Sequence, residues 1–194
     1  MQDQMNAEMS AVGRSNFTGV KTVAYLSVSD IFGNETSTVA DSVLWDLAGY
    51  AAATANVSGG VMSENDLMRL FEIQYNLIFG DQVPVAEILL IPTGSRALVT
   101  EFWALLPFAR GNVHIASANP ADRPIINPNY FMLEWDTQQH VAVAKYIRRL
   151  YDTAPLKDLI QNETAPGFAA LPKDASDEIW ADYAKHHCRT TSPS

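Results

Sequence analysis

Apolar and polar positions recur along this chain with two different periods, and the change of period divides it. In residues 20–29 (VKTVAYLSVS) β-branched and aromatic types dominate, which predicts a strand. Over residues 37–53 the period is helical, with Val39, Val43, Leu44, Leu47 and Tyr50 on one face. The loop 54–60 ends in Gly59-Gly60. Ser63 then offers an N-cap, and Asp66 sits near the positive end of the helix that follows. Leu67, Leu70, Phe71, Gln74, Leu77 and Ile78 carry that helix to Gly80, a residue suited to stopping it.

Beyond Gly80 the apolar runs shorten. Residues 85–91 (VAEILLI), 98–106 (LVTEFWALL) and 112–117 (NVHIAS) are separated by Pro92, Gly94, Pro107 and Gly111, and read as strands of a mostly antiparallel sheet. Pro120, Pro124 and Pro128 make 118–131 an extended, turn-rich connection. Asp136 and Gln139 have the spacing of a capping box, followed by a helix whose stripe is Val141, Ala144, Ile147, Leu150 and Tyr151. Pro166-Gly167 marks a loop over 165–173, and a last helix starts near Ser176 and includes Ile179, Trp180 and Tyr183. The fold class predicted is α+β, a mostly antiparallel sheet flanked by helices, in a single domain over 1–194. The polar ending RTTSPS carries neither cap nor core residue and reads as a chain cut off.

Composition narrows the function classes. With 47% hydrophobic and 18% charged residues the chain can bury a core, which excludes disorder throughout. Lys plus Arg number 13 against 22 Asp plus Glu, so the net charge of −9 suits neither nucleic acid nor an anionic membrane. No apolar run is long enough to span a bilayer, and the start, MQDQMNAEMS, lacks the features of a signal peptide. A single cysteine, Cys188, excludes an intrachain disulfide. Sequons at Asn16, Asn34, Asn56 and Asn162 point to a secreted glycoprotein.

No phosphate-binding glycine loop and no nucleophile elbow is present. His186-His187-Cys188 lacks ligand spacing, so no metal is expected, and these residues read as the polar end of a helix. His114 reads as an ordinary strand residue, and His140 as a solvated side chain in the first turn of its helix. Glu87 and Glu101 are each set within an apolar strand, and either points to water or lines a pocket in which burial would raise its pKa. Trp103 shares a strand face with Glu101, an arrangement that holds sugar rings but equally serves a core.

The run FWALLPFARGNVHIAS (102–117), then Asn119-Pro120 and INPNYF (126–131), resembles the glucose–methanol–choline (GMC) flavin oxidoreductases. Four further pieces resemble the family in the right order: Met1-Gln2-Asp3-Gln4, Pro84 to Glu87, Glu163 to Gly167, and Trp180 to Tyr183. The resemblance covers nearly the whole chain and implies the substrate-binding (cap) portion of an FAD-dependent enzyme acting on the CH–OH group of glucose or another sugar or alcohol. It implies that Glu87 supports a catalytic histidine, that Trp103 walls the sugar, that Glu101 lies beside it, and that Arg189 reaches substrate hydroxyls. That histidine and the FAD-binding motif are not found in the chain, so it is expected to be silent alone, with partners in the rest of the parent flavoprotein and a homodimer among the assemblies. The alternatives are a non-catalytic sugar-binding module and a fragment without function of its own.

Overall fold

The computed structural model describes residues 5–190. Its centre is an antiparallel sheet of β1 (Met5–Gly13), β2 (Thr22–Leu26), β3 (Ala86–Pro92), β4 (Ala97–Ala104), β7 (Ile160–Ala165) and β8 (Arg189–Thr190). The order is β2-β3-β4-β1-β7, with β8 also on β1. A separate ribbon pairs β5 (Asn112–His114) with β6 (Ile125–Asn127). The helices are α1 (Val28–Phe32), α2 (Thr36–Val57), α3 (Glu64–Tyr75), α4 (Glu134–Tyr151), α5 (Leu156–Leu159) and α6 (Asp177–His187). The α+β reading with an antiparallel sheet is borne out.

Strand alternation sends Met9, Ala11, Ile88, Leu98, Thr100 and Phe102 to one face, where they are buried. α4 crosses this face and is buried around most of its girth, from Trp135 to Tyr151. Its polar side chains fasten it. Gln139 Nε2 donates to the Val85 and Leu105 carbonyls, and the Tyr151 hydroxyl lies 2.6 Å from Thr100 Oγ1. Ser63 caps α3 by accepting from the Asp66 N–H, as its spacing predicts, and one π-type turn extends that helix to Gly80.

Four expectations are corrected. Asp136 is no cap: α4 begins two residues earlier, after Leu133, and the Asp136 carboxylate instead accepts the Phe108 and Ala109 N–H groups at 2.7 and 3.1 Å. His140 is therefore beyond the first turn, and at 1% exposure it is fully buried rather than solvated. Leu44 is 53% exposed because the buried face of α2 follows Val43, Leu47, Tyr50, Ala51 and Thr54. The strand expected over 112–117 stops at His114, and Ile115 is exposed.

Arg110-Gly111 leads directly into β5. A Cβ at Gly111 would lie 2.6 Å from the Asn127 carbonyl oxygen and 2.7 Å from Pro128 Cα, both backbone atoms that cannot swing aside. Gly111→Ala is expected to cost about 1–3 kcal/mol, the range of an overpacked site, measured as a shift in the urea midpoint.

Candidate functional site

The sheet face opposite α4 gathers the residues singled out in the sequence. Cross-strand register aligns Tyr25 with Glu87, Glu87 with Trp103, Trp103 with Asn6, and Asn6 with Arg189. This is one continuous row over β2, β3, β4, β1 and β8. The next row runs Val23, Leu89, Glu101, Glu8. Residues opposite one another in neighbouring strands share a face, so Glu87, Glu101, Trp103 and Arg189 are brought together. Glu87, Glu101 and Trp103 are half-buried, while Tyr25 and Arg189 are exposed.

Arg189 Nη2 is 3.3 Å from Glu8 Oε2 and 3.9 Å from Glu101 Oε1. One guanidinium thus sits between two carboxylates, and with Glu87 the two rows carry three acids against one base. In this accessible setting each ion pair stabilises the fold by at most about 1 kcal/mol, so the cluster sets local charge more than stability. The face offers an aromatic plane, hydrogen-bond acceptors and one cationic donor, a set that suits a neutral, hydroxyl-bearing molecule better than an anion.

Asn6 and Glu8 were missed in the sequence because β1 was not read as a strand. The signal exists: Asn6, Glu8 and Ser10 alternate with Ala7, Met9 and Ala11. The Met1 to Gln4 piece of the resemblance lies outside the described residues.

A recess of about 120 Å³ opens at the β1 edge between β7 and β8, lined both by the open-face residues Asn6, Glu8 and Arg189 and by His140 and Cys188. Cys188, read from sequence as part of a polar helix end, is half-buried, with Sγ 3.1 Å from His140 Nε2. Burial pushes the His140 imidazole down to about 4 and the Cys188 thiol up to about 12, so both are neutral at pH 7. Among the described residues no group of three or more His, Cys, Asp or Glu could hold a metal ion.

FAD needs a cradle for its pyrophosphate, typically a glycine turn from a parallel strand into a helix N-terminus. The described strands pair antiparallel throughout, and β2 enters α1 through Ser27, whose side chain bonds Asp30. The described residues do not fit the dinucleotide, and no step is derived through it.

Residues 107–193 match a family profile described as GMC oxidoreductase. The chain is a GMC oxidoreductase relative, and the resemblance read from its sequence is borne out. It is 34% identical over 158 residues to a glucose oxidase-like protein of Humicola fuscoatra, covering 81% of this chain and 26% of that one. It is 29% identical over 191 residues to glucose oxidase of Penicillium chrysogenum, covering 97% and 31%. The chain therefore spans about a quarter to a third of the length of these relatives. Its fold matches an FAD-dependent oxidoreductase from Chaetomium thermophilum (TM-score 0.75, 17% identity, 98% of this chain and 37% of the other) and a fungal aryl-alcohol oxidase (0.69, 16%, 96% and 36%). Among the described residues no helix is long and apolar enough to cross a membrane.

Proposed function

We propose that this chain is the substrate-binding portion of an FAD-dependent oxidoreductase acting on the CH–OH group of glucose or another sugar or alcohol. The observation that carries the reading is the row Tyr25, Glu87, Trp103, Asn6, Arg189 with Glu101 in the row beside it, which together gather every residue given a role by resemblance on one open face. Trp103 supplies the plane against which a pyranose packs its C–H face. Glu101 and Arg189 stand where they bond hydroxyls, as acceptor and donor. Glu87 is placed to orient a histidine contributed from elsewhere in the parent protein.

Among the described residues no histidine stands in these two rows: His114 is on β5, His140 faces α4's buried side, and His186 and His187 end α6. The general base of alcohol oxidation is thus not on this face, and its loss alone costs two to four orders of magnitude in rate. The chain mixed with FAD and glucose is expected to reduce no acceptor dye.

The expected result for binding is a saturable change in tryptophan fluorescence on titrating glucose, absent in Trp103→Ala while Trp103→Phe keeps part of the affinity. A chain whose fluorescence is blind to glucose, mannose, benzyl alcohol and ethanol would falsify the reading. Secretion and glycosylation are part of the proposal, supported by the exposure of Asn16, Asn34, Asn56 and Asn162. The open face also carries Val23 and Tyr25, 47% and 59% exposed, which favours a homodimer or docking of the remaining parent protein on it.

A further inference from the structure

Helix α2 differs from the other long helices on its outer side. Its inner side, Val43, Leu47, Tyr50, Ala51 and Thr54, is buried as a core-facing stripe should be. The outer side is nearly uncharged. Of the 22 residues of α2 only Asp41 and Asp46 carry charge, and none from Leu47 to Val57 does. The shorter α3, by contrast, includes Glu64, Asp66, Arg69 and Glu72. Trp45 and Leu44 are 87% and 53% exposed, and Ala48, Gly49 and Ala53 beside them also face solvent. A helix without a charged face is ordinarily one that is covered.

Gly49 points the same way. Glycine inside a helix destabilises it relative to alanine, and it is kept where a close approach uses the missing Cβ. Nothing in the rest of the fold makes that approach, since a Cβ at Gly49 would have no such atom within 4 Å. The space is free on the outside of the helix.

Trp45, Gly49, Ala52 and Asn56 follow the spacing of one helical stripe. It carries a large aromatic knob at one end and small residues beyond it. Knob and notch on the same helix face cannot meet within one copy, whereas two copies laid antiparallel satisfy both at once. We propose that α2 is the interface of a symmetric homodimer, in which two copies cross antiparallel at Gly49 and each Trp45 packs over Ala52 and Ala53 of the other copy. Gly49 lets the two backbones approach. Charge favours the same face. A net charge of −9 opposes self-association over the surface as a whole. In this arrangement the two copies of Asp41 stand about 24 Å apart along the helix axis, at 1.5 Å per residue, well beyond the screening length. Asp46 lies off the stripe, on the flank of the helix. The interface is distinct from the open sheet face, to which α2 contributes no residue.

Sedimentation equilibrium tests the assignment, on chain made in bacteria, which add no glycan to Asn56 on the same stripe. One helix pair buries less than the roughly 1,200 Å² at the lower limit of stable complexes, so a monomer–dimer equilibrium with a dissociation constant on the order of 10–100 µM is expected. Trp45→Ala is expected to weaken it about thirtyfold, the effect of losing a central aromatic anchor. Gly49→Leu is expected to leave monomer alone and yet to melt no lower than the unsubstituted monomer, because leucine favours helix and meets open space. Ala53→Glu, also at an exposed position, is expected to block the dimer by a separate route should either of these fail to fold. Tyr25→Lys on the open sheet face is expected to change nothing. A chain that stays monomeric up to about 1 mM, a dimer that the α2 variants leave intact, or a dimer that Tyr25→Lys breaks would overturn the proposal. None of these measurements involves sugar or flavin, so their failure leaves the open-face reading standing, and the reverse also holds.

Discussion

Arg148→Met is expected to destabilise the chain by about 3–5 kcal/mol, the cost of leaving a buried charge without its partner. Arg148 Nε and Nη2 donate to the two Glu163 oxygens at 2.9 and 2.6 Å, and both side chains are nearly shielded from water. The guanidinium also donates to the Pro172 and Leu171 carbonyls and lies over the Trp180 and Phe168 rings at 4.5 and 5.0 Å. Glu163 Oε1 in turn accepts the Gly167 N–H at 3.0 Å. One ion pair thereby fastens α4, β7, the 166–172 turn and α6 together. Glu163→Leu alone is expected to cost a similar amount, whereas the double variant Arg148→Met, Glu163→Leu is expected to recover a large share, because no uncompensated charge remains inside. Urea unfolding of the four proteins measures the coupling. A double variant as unstable as the sum of the singles would show that packing, not charge burial, sets the cost.

Asp136→Ala is expected to cost about 2–4 kcal/mol, since the Phe108 and Ala109 N–H groups lose their acceptor in a buried place. The same carboxyl makes stability depend on pH. Burial raises it from 3.8 to about 6, opposed by the two N–H donors and by Arg110. The folded state holds this proton more tightly than the unfolded chain, so the contribution is full below about pH 4 and is lost as pH rises to about 6. The loss totals about 3 kcal/mol over that window, and above it the contribution is flat. Asn at this position keeps one acceptor and does not titrate. The stability difference between the unsubstituted chain and Asp136→Asn is therefore expected to shrink between pH 4 and pH 6. A difference independent of pH would show that Asp136 titrates normally.

These two carboxylates illustrate what the sequence discloses and what it hides. The β3 and β4 alternation was legible from Val85 to Leu106, and with it the shared face of Glu101 and Trp103. Glu163 and Asp136 were also noticed, yet their partners were not, because Arg148 and the Phe108 N–H lie far from them along the chain and only the packed fold brings them together. Asp136 obeyed the local capping pattern and was claimed by a tertiary one. β1 was hidden differently. Apart from Val12 its apolar positions are Ala and Met rather than β-branched or aromatic residues, so its strand propensity is weak, and pairing on both sides supplies what propensity does not. His140 followed from the same misplaced helix start.

The position of β1 bears on how such a sheet comes into being. The first described strand lies between β4 and β7 and also pairs with Thr190, at the far end of the described chain. A ribosome releases these segments one after another, so β1 waits with bare ladder edges until β4, β7 and β8 have emerged. High sequence separation of this kind slows folding into the millisecond-to-second regime and leaves intermediates prone to stray pairing. Whatever shields that nascent edge, whether a chaperone or polypeptide upstream in a longer parent, governs the yield of native protein.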